Sequence, residues 1–159
     1  MTDEVLPLAE FPSPAPSIQF HLEDVHLDLP DPVLMQTWLR SLISAEEGLL
    51  RTINFIFCSD DYLHQLNIEY LQHDTLTDVI TFPYQAPPNV EGDIFISIDR
   101  VRDNARLFNA DFPTELHRVM AHGILHLCGY CDKTPAAQAL MRQKENEALA
   151  LLETLRYTK

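Results

Sequence analysis

Cysteine is scarce in this chain. Three cysteines in 159 residues (Cys58, Cys128 and Cys131) do not make a disulfide framework, and an odd, low count fits a reducing, cytoplasmic setting. Long apolar runs are also missing, and none approaches the length of a membrane span, so no membrane role is expected. The N-terminus lacks a basic segment followed by an apolar core, so no secretory signal is expected. Basic residues are few: 11 Lys and Arg against 24 Asp and Glu give a formal net charge of -13. That balance argues against strong non-specific binding of nucleic acid through phosphates, and leaves room only for local docking of a single strand. No internal repeat is evident. What remains is a 46% apolar chain of one-domain size, long enough to bury a core without staples.

The most informative stretch runs from His122 through His126 and Gly129 to Asp132, in the form His-x3-His-x2-Gly-x2-Asp. Residues four apart on a helix share a face, so both imidazoles can point at one ion. Gly129 can take the left-handed conformation that ends a helix, and the returning chain can bring Asp132 to the same ion. Three protein ligands with one open position describe a catalytic metal site rather than a closed structural one, and zinc is the default ion for such donors, with nickel or another divalent ion as rivals. Ile124, Leu125 and Leu127 surround the histidines, and burying imidazoles there without partners would be costly. Cys128 and Cys131 form a C-x-x-C in the same place. Cys128 reads as a small packing residue, whereas Cys131 adjoins Asp132 and is a rival ligand. His21, His26, His64, His73 and His117 lack partners at ligand spacing.

Residues 1–17 carry four prolines without periodicity and read as a mobile tail, with one domain over 18–159. Ile18, Phe20 and Leu22, and later Ile53, Phe55 and Phe57, alternate as strands do. Asp31-Pro32 predicts a helix start, with Val33, Leu34, Trp38, Leu42 and Ile43 at helical spacing and Gly48 as its stop. Ser59 predicts the cap of a second helix with Leu63, Leu66 and Tyr70 on its apolar stripe, followed by a polar loop from Gln72 to Leu76. Thr77 to Phe82 reads as a short strand stopped by Pro83, Tyr84 to Asn89 as a loop, and Asp93 to Ile98 as another strand, with Asp99 capping a helix to about Asn109. Pro113 opens the histidine helix, and Thr134-Pro135 starts a last helix with Leu140, Met141, Leu149, Leu151 and Leu152 for its apolar face. The fold class is α/β or α+β: a single domain with a small mixed sheet packed with helices, and the metal site on a helix and the turn after it.

Zincin-type metalloproteases have a similar histidine pair, but they place a glutamate directly after the first histidine as general base. Here that position is Gly123, so a peptidase is disfavoured and another kind of metal hydrolase is expected. Two stretches together resemble the YbeY family of single-strand endoribonucleases: Leu66 to Tyr70 through Thr77 to Phe82, and His122 to Tyr130. The similarity also takes in Gly92 to Ile94 and Glu115 to Met120, and spans about Asn54 to Glu147. The resemblance implies a one-domain α/β fold, one zinc ion, and hydrolysis of RNA phosphodiesters in rRNA maturation, including 16S rRNA 3′-end processing and ribosome quality control, in the cytoplasm. The implied partners are single-stranded RNA, rRNA, and the small ribosomal subunit with its proteins. His122 and His126 match the family ligands directly. The family's third ligand is a histidine preceded by aspartate, and here Cys131-Asp132 stands in that place, so Asp132 inherits the role by position.

A carboxylate in place of a third imidazole leaves zinc with less net positive charge. It is therefore expected to acidify a water less, with a higher pH optimum that Asp132→His should lower. The family also carries an arginine after the tyrosine of its first motif, where this chain has Leu71. Arg118 and Arg106 are the candidates for that phosphate contact, within a run of Arg100, Arg102, Arg106 and Arg118 that folding can gather. Catalysis is assigned to water activated at the ion, with Arg118 and Asp78 as candidate helpers, Asp78 orienting a ligand histidine. The alternative is a non-catalytic ribosome-maturation factor that keeps its metal for structure.

Overall fold

The computed structural model describes residues 15–29, 31–72 and 77–157. Strand β1 spans Ser17–Leu22, helix α1 Pro32–Ala45, β2 Leu49–Cys58, α2 Asp60–Leu71, β3 Val79–Pro83, β4 Asn89–Ser97, α3 Ile98–Leu107, α4 Phe112–Leu127 and α5 Pro135–Tyr157. The strands form one sheet in the order β1-β2-β4-β3. β1, β2 and β4 are parallel, and β3 lies antiparallel to β4 at the edge. This is the α/β class with a small mixed sheet that the alternating patterns implied.

Strand geometry divides the core in two. Successive side chains point to opposite faces, so Ile94 and Ile96 of β4 enter the main core while Phe95 enters a smaller cluster behind the sheet. The main core lies between one sheet face, with Ile53, Phe55 and Phe57 fully buried, and helices α1, α4 and α5. Trp38 of α1 donates its indole N–H to the Ala148 carbonyl of α5 at 2.8 Å, so its polar tip is satisfied inside the core. Helix α2 covers the other face, with Leu63 against Cys58 and Ile80.

Side-chain caps set the helix starts. Asp31, Ser59 and Asp111 each accept a hydrogen bond from the backbone N–H three residues on, satisfying donors that a helix leaves orphaned. Several boundaries differ from the sequence reading. Helix α1 ends at Ala45, and the left-handed residue after it is Glu47 (φ 58), not Gly48. Ser97 rather than Asp99 caps α3, because its hydroxyl reaches the Arg100 N–H at 3.1 Å. Strand β3 begins at Val79 and includes Pro83, which an edge strand tolerates. Strand β4 already begins at Asn89, inside the expected loop. Tyr70 and Leu140 point outward, whereas Met141 and Leu152 of the expected α5 face are buried, joined by Glu145 and Ala148. The expected tail lies outside the described residues up to residue 14, and Ser17 already pairs with Thr52 in β1. Residues 73–76 of the expected polar loop, with His73, also lie outside them.

Candidate metal centre

Helix α4 carries its apolar side against the sheet and its histidines on the other. Gly123 is the closest approach: a Cβ there would stand 2.7 Å from Ile94 Cγ2. The position after the first histidine thus faces the core, so no side chain there can serve as a base at the histidines.

Helix α4 ends in a Schellman turn that also builds the site. Cys128 is the cap, Gly129 has φ 110, the Gly129 N–H donates to His126 O at 3.0 Å and the Tyr130 N–H to Leu125 O at 3.0 Å. The turn aims the Tyr130 carbonyl back at the helix, where it accepts from His126 Nδ1 at 2.9 Å. Two residues later Asp132 reaches the same point. The turn is pinned by the Tyr130 hydroxyl, which donates to Glu46, and by Lys144, whose Nζ lies 3.1 Å from Glu46 Oε2.

His122 Nε2 and His126 Nε2 are 2.9 Å apart, and each is 3.3 Å from Asp132 Oδ2. Donors at about 2.0–2.1 Å from a tetrahedral zinc ion stand about 3.3–3.4 Å apart, so the triangle has the size of a metal site. The tautomers sharpen the point. A carbonyl only accepts, so His126 Nδ1 carries the proton it gives to Tyr130. His122 Nδ1 donates to Glu145 Oε2 at 2.6 Å. With both rings neutral in those tautomers, the two Nε2 lone pairs face each other and the Asp132 carboxylate oxygen. Three such acceptors repel, and a metal ion or a proton among them relieves the repulsion. These three residues form the group able to hold an ion among the described residues. Cys131 is exposed and stands outside that group, and burial, helped by Glu46, pushes the Cys128 thiol up to about 11.

Glu145 is the residue that sequence reading missed. It lies on the next helix, far from any ligand spacing, and its side chain is 8% exposed. It also accepts from Arg118 at 3.2 Å. Burial alone would raise its carboxyl, but His122 and Arg118 outweigh that and hold it below the usual range. In turn, burial opposes the His122 imidazolium, but Glu145, Asp78 and Asp132 outweigh it and raise its pKa. The signal was legible in principle: Glu145 stands in the stripe Met141, Ala148, Leu152, and a carboxylate on a core face needs a partner.

Asp78 lies in the same cavity beside His122, but its carboxylate accepts from Asn104 Nδ2 at 3.2 Å, and the ring nitrogen it was expected to orient is held by Glu145. Burial raises the Asp78 carboxyl. The four arginines do not gather into one patch, in line with a solvated helix face for each taken singly. Arg100 pairs with Asp60 and Asp103, Arg106 with Asp103, and Arg102 lies over the Phe112 ring. Arg118 alone of the four lines the cavity, and Leu71 ends α2 exposed.

Fold and site together define a class: a small α/β protein with a helix-and-turn His-His-Asp centre able to hold a metal ion. Comparison with known proteins narrows it. Residues 23–153 match the family model described as endoribonuclease YbeY. The chain is 50% identical over 134 residues to the endoribonuclease YbeY of Amoebophilus asiaticus, which covers 84% of this chain and 91% of that protein. It is 55% identical over 114 residues to that of Flavobacterium johnsoniae, covering 72% of this chain and 82% of the relative. A Thermotoga maritima protein solved in solution superposes with a TM-score of 0.61 at 30% identity, covering 86% of this chain and 89% of that one. The chain belongs to the YbeY family. Among its described residues no helix is long and apolar enough to cross a membrane.

Proposed function

We propose that this chain is a zinc-dependent endoribonuclease that hydrolyses single-stranded RNA, acting in the cytoplasm on rRNA of the small subunit during ribosome maturation. The observation that carries the reading is the convergence of three ligand atoms, His122 Nε2, His126 Nε2 and Asp132 Oδ2, inside the span of one ion. Two imidazoles and one carboxylate suit zinc and leave one position open. Bound there, the ion would polarise a phosphoryl oxygen and acidify a water.

The chain's own groups prepare that chemistry. Glu145 and the Tyr130 carbonyl fix the tautomers so that both Nε2 lone pairs face inward. The turn at Gly129 sets Asp132 against them, and the cavity beside His122 gives the substrate its approach. Leu71 in place of the family arginine and the net charge of -13 favour a second reading, a metal-bearing ribosome-maturation factor without catalysis. Incubating the purified, metallated chain with single-stranded RNA, duplex RNA and a peptide library, with and without chelator, separates the readings. The endoribonuclease reading expects chelator-sensitive cleavage of single strands only. Peptide cleavage, or intact RNA with fully metallated protein, would overturn it.

A further inference from the structure

The cavity beside the metal centre, about 430 Å³, holds parts that the hydrolytic centre does not use. We propose that it is a nucleotide subsite, in which Arg142 takes a backbone phosphate and Phe108 stacks on the adjacent unpaired base. This deepens the endoribonuclease reading and rests on it for the identity of the ligand.

Two cations line the cavity, and they differ in commitment. Arg118 is 20% exposed and tied to Glu145 at 3.2 Å. Arg142 is 55% exposed, and its contact to the same carboxylate is 3.6 Å, beyond a hydrogen bond. That carboxylate is already engaged by His122 and Arg118, and a half-exposed pair of this kind contributes little. Arg142 is therefore the guanidinium free to turn to an incoming phosphate, which its planar fork suits. It occupies a different element from Leu71, so the phosphate contact moves from the end of α2 to α5.

Phe108, a residue 57% exposed, caps α3 and lines the same cavity. Its backbone is held on both sides, by its own N–H on Asn104 O at 2.9 Å and by the Ala110 N–H on Ala105 O at 2.9 Å, with Asn109 turning the chain at φ 54. Among the described residues no aromatic ring stacks on it. An exposed ring on a held backbone beside a loosely paired guanidinium and a metal centre is the combination that holds single strands, because every unpaired base offers a face to stack and a duplex offers none. The carboxylates Asp78, Glu115, Asp132 and Glu145 share the cavity, so a phosphate there depends on Arg142 and the ion.

The test measures binding of a short fluorescein-labelled single-stranded RNA to the zinc-loaded full chain by anisotropy, at several salt concentrations, with cleavage read on the same samples. Both side chains are more than half exposed, so Phe108→Ala and Arg142→Gln should fold. Phe108→Ala is expected to weaken binding at least about fivefold without changing the salt slope, and Phe108→Trp to retain it. Arg142→Gln is expected to weaken binding and to lower the log–log salt slope by about 0.7, the loss of one single-strand phosphate contact. Arg142→Lys should retain part of the slope. Wild-type affinity in both Phe108→Ala and Arg142→Gln would overturn the subsite even if the chain cleaves RNA. Binding without cleavage, still weakened by both variants, would sink the nuclease reading and leave the subsite standing. No binding by the wild-type chain would sink both.

Discussion

Replacing Glu145 by glutamine removes a charge without removing a side chain. The carboxylate accepts from His122 Nδ1 at 2.6 Å and from Arg118 at 3.2 Å. An amide keeps one acceptor oxygen, so one of those donors loses its partner and the other loses a charged one. The His122 ring is then free to rotate or change tautomer, and its Nε2 lone pair is no longer held toward His126 and Asp132. Loss of such an orienting carboxylate weakens metal binding about 10- to 100-fold, or about 1.4–2.7 kcal/mol. Titrating zinc into the metal-free chain against a chromophoric chelator reads this directly. Arg118→Met is the control, because it breaks the ion pair and leaves the His122 contact intact. Both variants should lower the unfolding midpoint of the metal-free chain, since each strands a half-buried or buried charge. Only Glu145→Gln should lower zinc affinity. Equal affinity in Glu145→Gln and wild type, with the fold retained, would refute the positioning argument, as would an equal loss in Arg118→Met.

Gly129→Ala should cost about 1–3 kcal/mol and weaken zinc binding, because φ 110 strains any L side chain while its Cβ would meet only Pro87 Cγ at an ordinary 3.4 Å. Thermal unfolding with and without zinc checks it, and unchanged midpoints would contradict it. Gly123→Ala should destabilise by about 1–3 kcal/mol through overpacking against Ile94, read as a lower urea midpoint. His117 is buried beside Trp38, and burial, reinforced by Arg156, lowers its pKa to about 4. Its unfolded value is higher, so the unfolded chain binds the extra proton first. The stabilisation is complete above the unfolded value and lost as pH falls toward about 4. Between pH 7 and pH 5 this group should cost about 2 kcal/mol, and His117→Phe should lose that much less stability over the same interval in urea titrations. Identical pH slopes for the two proteins would remove His117 from the account.

The histidine pair was legible because helical spacing and chemistry coincide within one short stretch. Asp132 was legible because Gly129 announces the turn that returns the chain. The strands were legible from alternation at Ile53, Phe55 and Phe57. The turn's second purpose was hidden, since nothing at Tyr130 says that its carbonyl will hold His126. The partner of Glu145 was hidden for a different reason. The contact with His122 spans two helices, and only the packing of α5 on α4 brings them together. The arginines were closest in sequence and still not gathered: Arg100 and Arg106 pair with acidic residues and Arg102 lies over Phe112, away from the cavity. Helix boundaries slipped where competing caps adjoin, as at Ser97 and Asp99, because the hydroxyl with the better reach wins.

If His122, His126 and Asp132 hold a metal ion as proposed, RNA cleavage depends on it. The most direct measurement strips the chain of metal, adds back stoichiometric zinc, and follows a labelled single-stranded RNA on a gel, for wild type and His122→Ala. The expected result is no cleavage by the stripped protein, restored cleavage by zinc-loaded wild type, and none by His122→Ala. Cleavage that persists in the stripped protein or in His122→Ala would contradict it, as would intact RNA in the presence of fully metallated wild type.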